Sequence, residues 1–147
     1  MKNHENVTDD MVAGSVYLRF WHPTEDLTFL SSLLDLKRDW GWRAGAPRTT
    51  PKGTPLSGKY KESYWLSNDF EFAVSQGFQE QLINAVNHLV KVEKEMLKFI
   101  DSEGTIEVYL QLEGDVHHGG EICSDILSIL GRMGVRLAIE VFPFRRR

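Results

Sequence analysis

The sequence predicts an α+β fold, a two-layer sandwich of ferredoxin-like character with about four strands and three helices, including one long added helix. Runs of β-branched and aromatic residues alternate with stretches of helical apolar spacing. The ten residues between Trp65 and Gln76 leave room for the chain to reverse. Val16-Tyr17-Leu18 and Val108-Tyr109-Leu110 open similar halves. The alternative is a three-layer α/β fold with a mostly parallel sheet, in which the long helix is a right-handed crossover.

The first strand and helix follow from local composition. Residues 15–21 are mainly β-branched and aromatic, which favours a strand. Pro23, the Thr24 hydroxyl and two acidic residues then indicate a helix start. Leucines at helical spacing predict about ten residues of helix: Leu27, Leu30, Leu33 and Leu34.

Residues 37–59 break this periodicity. They contain three prolines and four glycines and show no apolar period. We therefore predict a long loop, which in a compact domain is often functional or disordered. Strand character returns from Tyr60 to Leu66.

Residues 78–100 form the longest periodic stretch and predict a single long helix. Beside its main apolar stripe runs a second line, Ile83, Val90 and Leu97, at intervals of seven residues. One interpretation is that the helix packs on the sheet and also beneath the loop. The other is that the second line is the seam of a homodimer.

The last three elements have clear patterns. Alternating apolar residues predict a strand over Thr105–Leu112, and helical spacing predicts a helix over Ile122–Met133. Gly134 stands where a helix C-terminal cap belongs. A final strand, Val135–Phe142, ends before Pro143.

Length and composition limit the class of protein to which the chain can belong. The chain has 147 residues, 41% of them hydrophobic and 26% charged, which is typical of one globular domain. We expect a flexible tail at 1–13, a single domain at 14–144 and a basic tail at 145–147. The single cysteine excludes an internal disulfide, and no apolar run approaches about 18 residues. We expect a cytoplasmic protein with no membrane partner.

Charge is distributed unevenly. Residues 37–65 contain seven basic and two acidic residues, a net of +5, although the whole chain carries −4. The same segment is rich in aromatic residues, and cations interleaved with aromatics suit an anionic partner. The predicted binding residues are Trp42, Arg43, Arg48, Lys52, Tyr60, Tyr64 and Trp65. Alternatively the segment is structural, with its aromatics in the core and its cations paired with the protein's own acids.

The remaining motifs point to no catalytic residue, metal or cofactor. Residues 53–59 fit G-x-x-x-x-G-K, but Tyr60 follows where a phosphate loop needs Ser or Thr. His117, His118 and Cys123 lack the spacing of a zinc site. The acidity of the rest of the chain disfavours nucleic acid as a partner.

The segment around these aromatics resembles a known family. The resemblance is carried by Leu34-Asp35-Leu36, Trp42-Arg43-Ala44-Gly45, Pro47-Arg48, Thr50–Gly53, Pro55–Gly58 and Tyr60–Trp65. These motifs are similar to the domain-of-unknown-function 4279 family of small bacterial proteins, with Asp35 in place of the family's glycine. The resemblance implies a single bacterial cytoplasmic domain and assigns no activity, catalytic residue or cofactor.

Two hypotheses on function follow. The first is a non-enzymatic protein-interaction or accessory module, such as a toxin-neutralising protein, which presents the 37–65 segment to a protein or small anionic ligand. The second is a small enzyme or ligand-binding protein, in which Arg43, Arg48 and Tyr64 hold an acidic substrate between that segment and the sheet.

Overall fold

The structure, a computed structural model, describes residues 11–114 and 119–143. Its strands are β1 (Val12–His22), β2 (Arg38–Trp42), β3 (Pro47–Thr49), β4 (Pro55–Lys59), β5 (Ser63–Ser67), β6 (Phe70–Ala73), β7 (Thr105–Glu113) and β8 (Arg136–Phe142). Its helices are α1 (Leu30–Leu34), α2 (Gln79–Val90), α3 (Glu93–Asp101) and α4 (Ser124–Met133). None of these helices is long and apolar enough to cross a membrane.

The alternation of residue types along β1 sets the two layers. Val16, Leu18 and Phe20 are fully buried on one face of the sheet, because a strand points successive side chains to opposite sides. The helices cover this inner face with apolar residues such as Leu82 and Leu130, which belong to the same core. The opposite, outer face carries Tyr17, Arg19 and Trp21, the odd-numbered residues of the second half of β1.

The sheet is mixed but mostly antiparallel, which confirms the α+β class. The strand order is β2-β5-β1-β7-β8, and β6 pairs with the first half of β1. Only β7 and β8, which α4 connects, are parallel among the described strands. The alternative of a mostly parallel sheet is therefore wrong, and so is the ferredoxin-like count of four strands and three helices.

The two similar triplets of the sequence pair with each other. Val16 lies opposite Leu110, Tyr17 opposite Tyr109 and Leu18 opposite Val108 in the antiparallel ladder of β1 and β7. The matched pattern of the triplets therefore places Tyr17 and Tyr109 side by side on the outer face.

The predicted loop at 37–59 is instead a β-hairpin. Its ladder begins with β2 and β5 and continues outward, where Gly45 N donates to Tyr60 O at 2.8 Å and Tyr60 N donates to Ala46 O at 3.0 Å. Beyond this point β3 pairs with β4. We call residues 43–62 the arm. Two of its three prolines, Pro47 and Pro55, stand at the first residue of a strand, where proline is tolerated, and Pro51 lies in the turn between the two strands.

Two helix predictions are wrong in extent. The long helix is divided into α2 and α3, and Val92 between them has φ −125° and ψ 36°, outside the helical region. Both helices pack on β7, but α2 also packs on β6 whereas α3 also packs on α4. The first helix is five residues long rather than about ten, and no side chain caps its start.

Asp35 ends α1 in the left-handed conformation, with φ 53° and ψ 47°. Leu36 N donates to Ser31 O at 3.1 Å, a hydrogen bond that closes the helix C-terminus. This is the conformation that glycine adopts without steric cost, so Asp35 occupies a position suited to glycine.

The last three elements agree with the sequence patterns, whereas β6 was not predicted. The strand β7 and the helix α4 match their predicted spans closely, and Gly134 caps α4 with φ 72°. Residues 1–10 and 145–147 of the predicted tails lie outside the described residues. Within the described part, β1 begins at Val12 and the Ala13 side chain is buried.

Candidate functional site

Four aromatic rings form a continuous row on the outer face of the sheet. Trp21 of β1 lies 5.4 Å from Tyr64 of β5, and Tyr64 lies 4.7 Å from Trp42 of β2, measured between ring centroids. Trp42 then stacks on Tyr60 at 4.5 Å with 10° between the ring planes. The row arises from the register, which sets both Trp21 and Trp42 opposite Tyr64. We call these residues the aromatic row.

Hydrogen bonds fix the end of the row nearest the arm. The Trp42 indole Nε1 donates to Glu62 O at 2.9 Å. The Tyr60 hydroxyl donates to Thr49 O at 3.0 Å and accepts from Thr49 N at 3.1 Å. The Tyr60 ring therefore joins the arm to β2 of the sheet, and its hydroxyl ties the two sides of the arm together.

Arg19 lies beside the row and is held on three sides. Its Nε donates to Glu107 Oε1 at 2.7 Å, and its guanidinium lies 3.9 Å from the centroid of the Tyr109 ring. The Trp21 ring is 5.4 Å away. Because Glu107 balances its charge, Arg19 supports the aromatic face and presents no free cation there.

Three tyrosines of the outer face, Tyr64, Tyr17 and Tyr109, remain neutral over a wide pH range. Burial raises the pKa of Tyr64, and nearby Arg19 opposes part of that rise. Burial also raises the pKa of Tyr17. The pKa of Tyr109 is raised to about 12 by burial and then by the negative charge of Glu140. Tyr17, Tyr64 and Tyr109 therefore present neutral rings at physiological pH.

The basic residues of the 37–65 segment all lie on the surface. They are Lys37, Arg38, Arg43, Arg48, Lys52, Lys59 and Lys61. Within residues 11–114 and 119–143, only Arg43 among them has an ion-pair partner, Asp26 at 3.6 Å. Two hydrogen bonds from Thr28 lower the pKa of Asp26 first, and Arg43 adds to this. Arg48 donates to Ser57 O at 3.3 Å across the arm.

The structure brings most of the predicted binding residues together, but not Trp65. Trp42, Tyr60 and Tyr64 form the aromatic row, and the three predicted cations lie along the arm. Trp65 points to the inner face with 1% of its surface exposed, and meets Phe20 edge to face at 5.5 Å. Since neighbouring strand residues face opposite sides, Tyr64 and Trp65 lie on different faces of the sheet.

Trp21 and Arg19 belong to this surface but were not predicted as binding residues from the sequence. The signal was present in the first strand, where Tyr17, Arg19 and Trp21 alternate with purely apolar residues. Such alternation indicates that one face is buried and that the other carries these three side chains outward.

Other candidate sites gain little from the structure. Most of the G-x-x-x-x-G-K match is strand β4 itself (Pro55–Lys59) and no helix follows it, unlike a phosphate loop. His117 and His118 lie outside the described residues. In the described ranges, no group of three or more His, Cys, Asp or Glu side chains could hold a metal ion. A depression of about 370 Å³ lies along α2, lined by Phe70, Asn84, Asn87, His88, Val90 and Lys91.

The seam predicted on the second apolar line is only partly accessible. Ile83 and Val90 pack against the core and are half-buried, whereas Leu97 is exposed. They lie on two separate helices, since α2 ends at Val90. A homodimer through these residues stays a prediction.

Comparison with protein-family models, with curated proteins and with solved structures finds no match for this chain. The resemblance to the domain-of-unknown-function 4279 family therefore stays a prediction, as do the bacterial origin and the cytoplasmic location that it implies.

Proposed function

We propose that this protein is a non-enzymatic interaction module that binds an acidic partner protein through the arm and the aromatic row. The observation that carries the proposal is the arm itself. It projects from the edge of the sheet, every residue of β4 is exposed, and its cations face water. In a chain with a net charge of −4, this concentration of positive charge favours an acidic partner.

The aromatic row supplies the apolar part of such an interface. Its rings are half-buried, so each keeps part of its surface available while its neighbours hold it in place. Tyr and Trp are enriched in protein interfaces because a rigid ring loses little conformational entropy on binding. Charged residues at the rim would then increase the association rate and the specificity of binding more than the affinity.

Two observations favour a protein over a small ligand as the partner. Arg43, which the alternative hypothesis assigns to an acidic substrate, is engaged with Asp26. The depression described along α2 has no arm residue in its lining. An enzyme or ligand-binding protein with its substrate between the arm and the sheet therefore has less support.

Toxin neutralisation is one specific form of the proposed interaction, in which the acidic partner protein is a toxin. It rests on the small size and charge of the chain and on the resemblance to small bacterial proteins. An inhibitor of this kind needs a rigid, pre-formed surface, and the stacked rings at the base of the arm fit that need.

Affinity capture from the source cell tests the proposal. The arm variant Arg48→Glu/Lys52→Glu/Lys59→Glu reverses three exposed charges. The matched control Lys91→Glu/Lys94→Glu/Lys98→Glu reverses three exposed charges on and beside the helices, with the same change in net charge. We expect an acidic protein to be captured by the wild type and by the control, and to be lost from the arm variant.

A second pair of variants tests the aromatic row. Trp21→Ala removes a ring from the row, whereas Leu127→Ala shortens an exposed side chain on α4. We expect only Trp21→Ala to weaken capture, with circular dichroism confirming that both chains fold. Equal recovery of partners by the wild type and both sets of surface variants would show that neither the arm nor the row is the interface.

A further inference from the structure

The strand β8 forms an edge of the sheet with unusual apolar exposure. Within residues 11–114 and 119–143 it pairs only with β7. Ile139 is 53% exposed and Val141 is 58% exposed, and Phe142 is also exposed at the end of the strand. An edge strand leaves a row of backbone N–H and C=O groups unpaired, and apolar side chains beside that row favour pairing with another chain.

This edge lacks two of the devices that block such pairing, a bulge and a proline within the strand. The seven residues of β8 run in unbroken register with β7, so no bulge twists the edge away. No proline lies within β8, and Pro143 follows only after the strand has ended. The charged residues of β8, Arg136 and Glu140, have opposite signs and lie on the same outer face.

The spacing of these two charges makes β8 complementary to itself. If two copies pair antiparallel about a two-fold axis at Ala138, Arg136 of each chain lies opposite Glu140 of the partner subunit. On the inner face, Leu137 lies opposite the partner's Ile139. Opposite charges and apolar pairs at directly facing positions stabilise antiparallel strands.

The same register extends a charge pattern already present within each chain. Arg19 pairs with Glu107, and Arg136 stands beside Glu107 in the parallel ladder. Glu140 of the partner subunit would lie next to Arg136 in the same line of charges across the strands. The signs then alternate from β1 of one chain to β8 of the next.

We infer that this protein forms a symmetric dimer by antiparallel pairing of β8 with β8 of a second copy, in the register centred on Ala138. The contact is isologous and closes on itself, so it ends at two chains. It joins the two sheets into one and covers the exposed inner-face residues of β8. Because β2 and β8 lie at opposite edges of the sheet, the two arms remain free at the far ends.

The dimer is independent of the proposed binding function and has its own test. Sedimentation of the wild type over a concentration series is expected to show a monomer–dimer equilibrium. Arg136→Glu sets two glutamates opposite each other at both contacts, and Glu140→Arg sets two arginines opposite each other. We expect each variant alone to dimerise about tenfold or more weakly than the wild type.

Mixing the two variants is the decisive step. A mixed dimer of one Arg136→Glu chain and one Glu140→Arg chain has an opposite-charge pair at both contacts, so the mixture is expected to recover the dimer. Variants of this kind that fold normally by circular dichroism cannot regain association unless these two positions face each other. Lys98→Glu, on the exposed side of α3, serves as the matched charge-reversal control and leaves dimerisation unchanged.

Three outcomes would overturn the inference. One is a wild type that stays monomeric at every concentration. Another is a mixture of the two variants that associates no better than either alone. The third is a dimer that is lost in Leu97→Lys but unaffected by both β8 variants, which would place the interface on the second apolar line of the helices instead.

Discussion

The Trp42 and Tyr60 rings stack in parallel, with their centroids 4.5 Å apart, where the arm leaves the sheet. Trp42 belongs to the last position of β2, whereas Tyr60 returns from β4 towards β5. Stacking across the two sides of the hairpin fixes its direction at its base. The arm beyond this point consists of two strands with solvent on most sides.

Tyr60→Ala is expected to lower the free energy of unfolding by about 1–3 kcal/mol, because it removes the stack on Trp42 and both hydrogen bonds to Thr49. Tyr60→Phe keeps the ring and loses only the hydroxyl, so its cost should be about 1 kcal/mol or less. Urea denaturation measures both. If Phe costs as much as Ala, the hydroxyl and not the stack anchors the arm.

His22 is expected to stabilise the turn that follows β1. Its buried Nδ1 accepts hydrogen bonds from Thr24 N at 3.1 Å and Glu25 N at 2.9 Å, so Nε2 carries the proton and faces Ser102 Oγ at 3.1 Å. His22→Ala leaves two amides without this acceptor and should cost about 1–3 kcal/mol. His22→Asn, whose side-chain oxygen can accept from the same amides, should cost less in thermal unfolding. An equal loss for both would assign the effect to packing of the ring.

Stability is expected to fall at alkaline pH through Tyr109. Its pKa is raised from 10.0 to about 12 in the folded chain, so folding favours the neutral phenol. This contribution is complete below pH 10 and is lost as the pH rises towards 12. Tyr109→Phe cannot ionise, and its free energy of unfolding should decline less steeply over that range. Urea denaturation at a series of pH values compares the two chains.

Titration of Tyr109 also tests the effect of the neighbouring Glu140 carboxylate on its pKa. Because the carboxylate adds to the rise in the Tyr109 pKa after burial, Glu140→Gln should lower that pKa without returning it to the ordinary value. Absorbance titration of tyrosinate, with Tyr109→Phe subtracted, measures the change. An unchanged Tyr109 pKa in Glu140→Gln would show that the carboxylate does not influence this tyrosine.

Asp35→Gly is expected to stabilise the protein by about 0.5–1 kcal/mol, because the residue ends α1 at φ 53°, where a side chain is strained. Asp35→Ala is the matched control and should destabilise it, since alanine tolerates this conformation less well than aspartate. Thermal unfolding ranks the three chains. A glycine variant that is no more stable than the wild type would contradict the strain argument.

Two glycines should respond to alanine in opposite directions. A Cβ on Gly14 would lie 2.1 Å from Gln111 O and 2.7 Å from Phe72 Cζ, so Gly14→Ala should cost about 2 kcal/mol or more. Gly131, within α4, has nothing within 4 Å of an added Cβ. Gly131→Ala should stabilise by about 0.5–1 kcal/mol through helix propensity. Chemical denaturation measures both, and a tolerated Gly14→Ala would mean that β1 and β7 can separate.

The elements predicted well from the sequence are those with one face against the core. Burial forces Val16, Leu18 and Phe20 to alternate with outward residues, and it gives α4 its helical period. The triplets at 16–18 and 108–110 carry the same alternation, and for the same reason they pair. A single buried face is enough to make periodicity visible.

The arm had no such signal. Both faces of β3 and β4 meet water along most of their length, so no apolar alternation distinguishes them from a loop. Prolines and glycines also mark turns in most sequences, and here they occupy strand starts and positive-φ positions such as Gly45 and Gly58. The division of α2 from α3 was not predicted for the opposite reason. Here an apolar pattern is present, and it continues across Val92 without interruption.

By itself the sequence determined the α+β class, the central strands and the concentration of positive charge at 37–65. Only the tertiary structure decided which aromatics share a surface. Trp42, Tyr60, Tyr64 and Trp65 are close in sequence, yet pairing with β1 places Trp65 in the core and joins the others to Trp21. The physical reason is that periodicity records whether a residue is buried, whereas its neighbours are set by long-range register between strands.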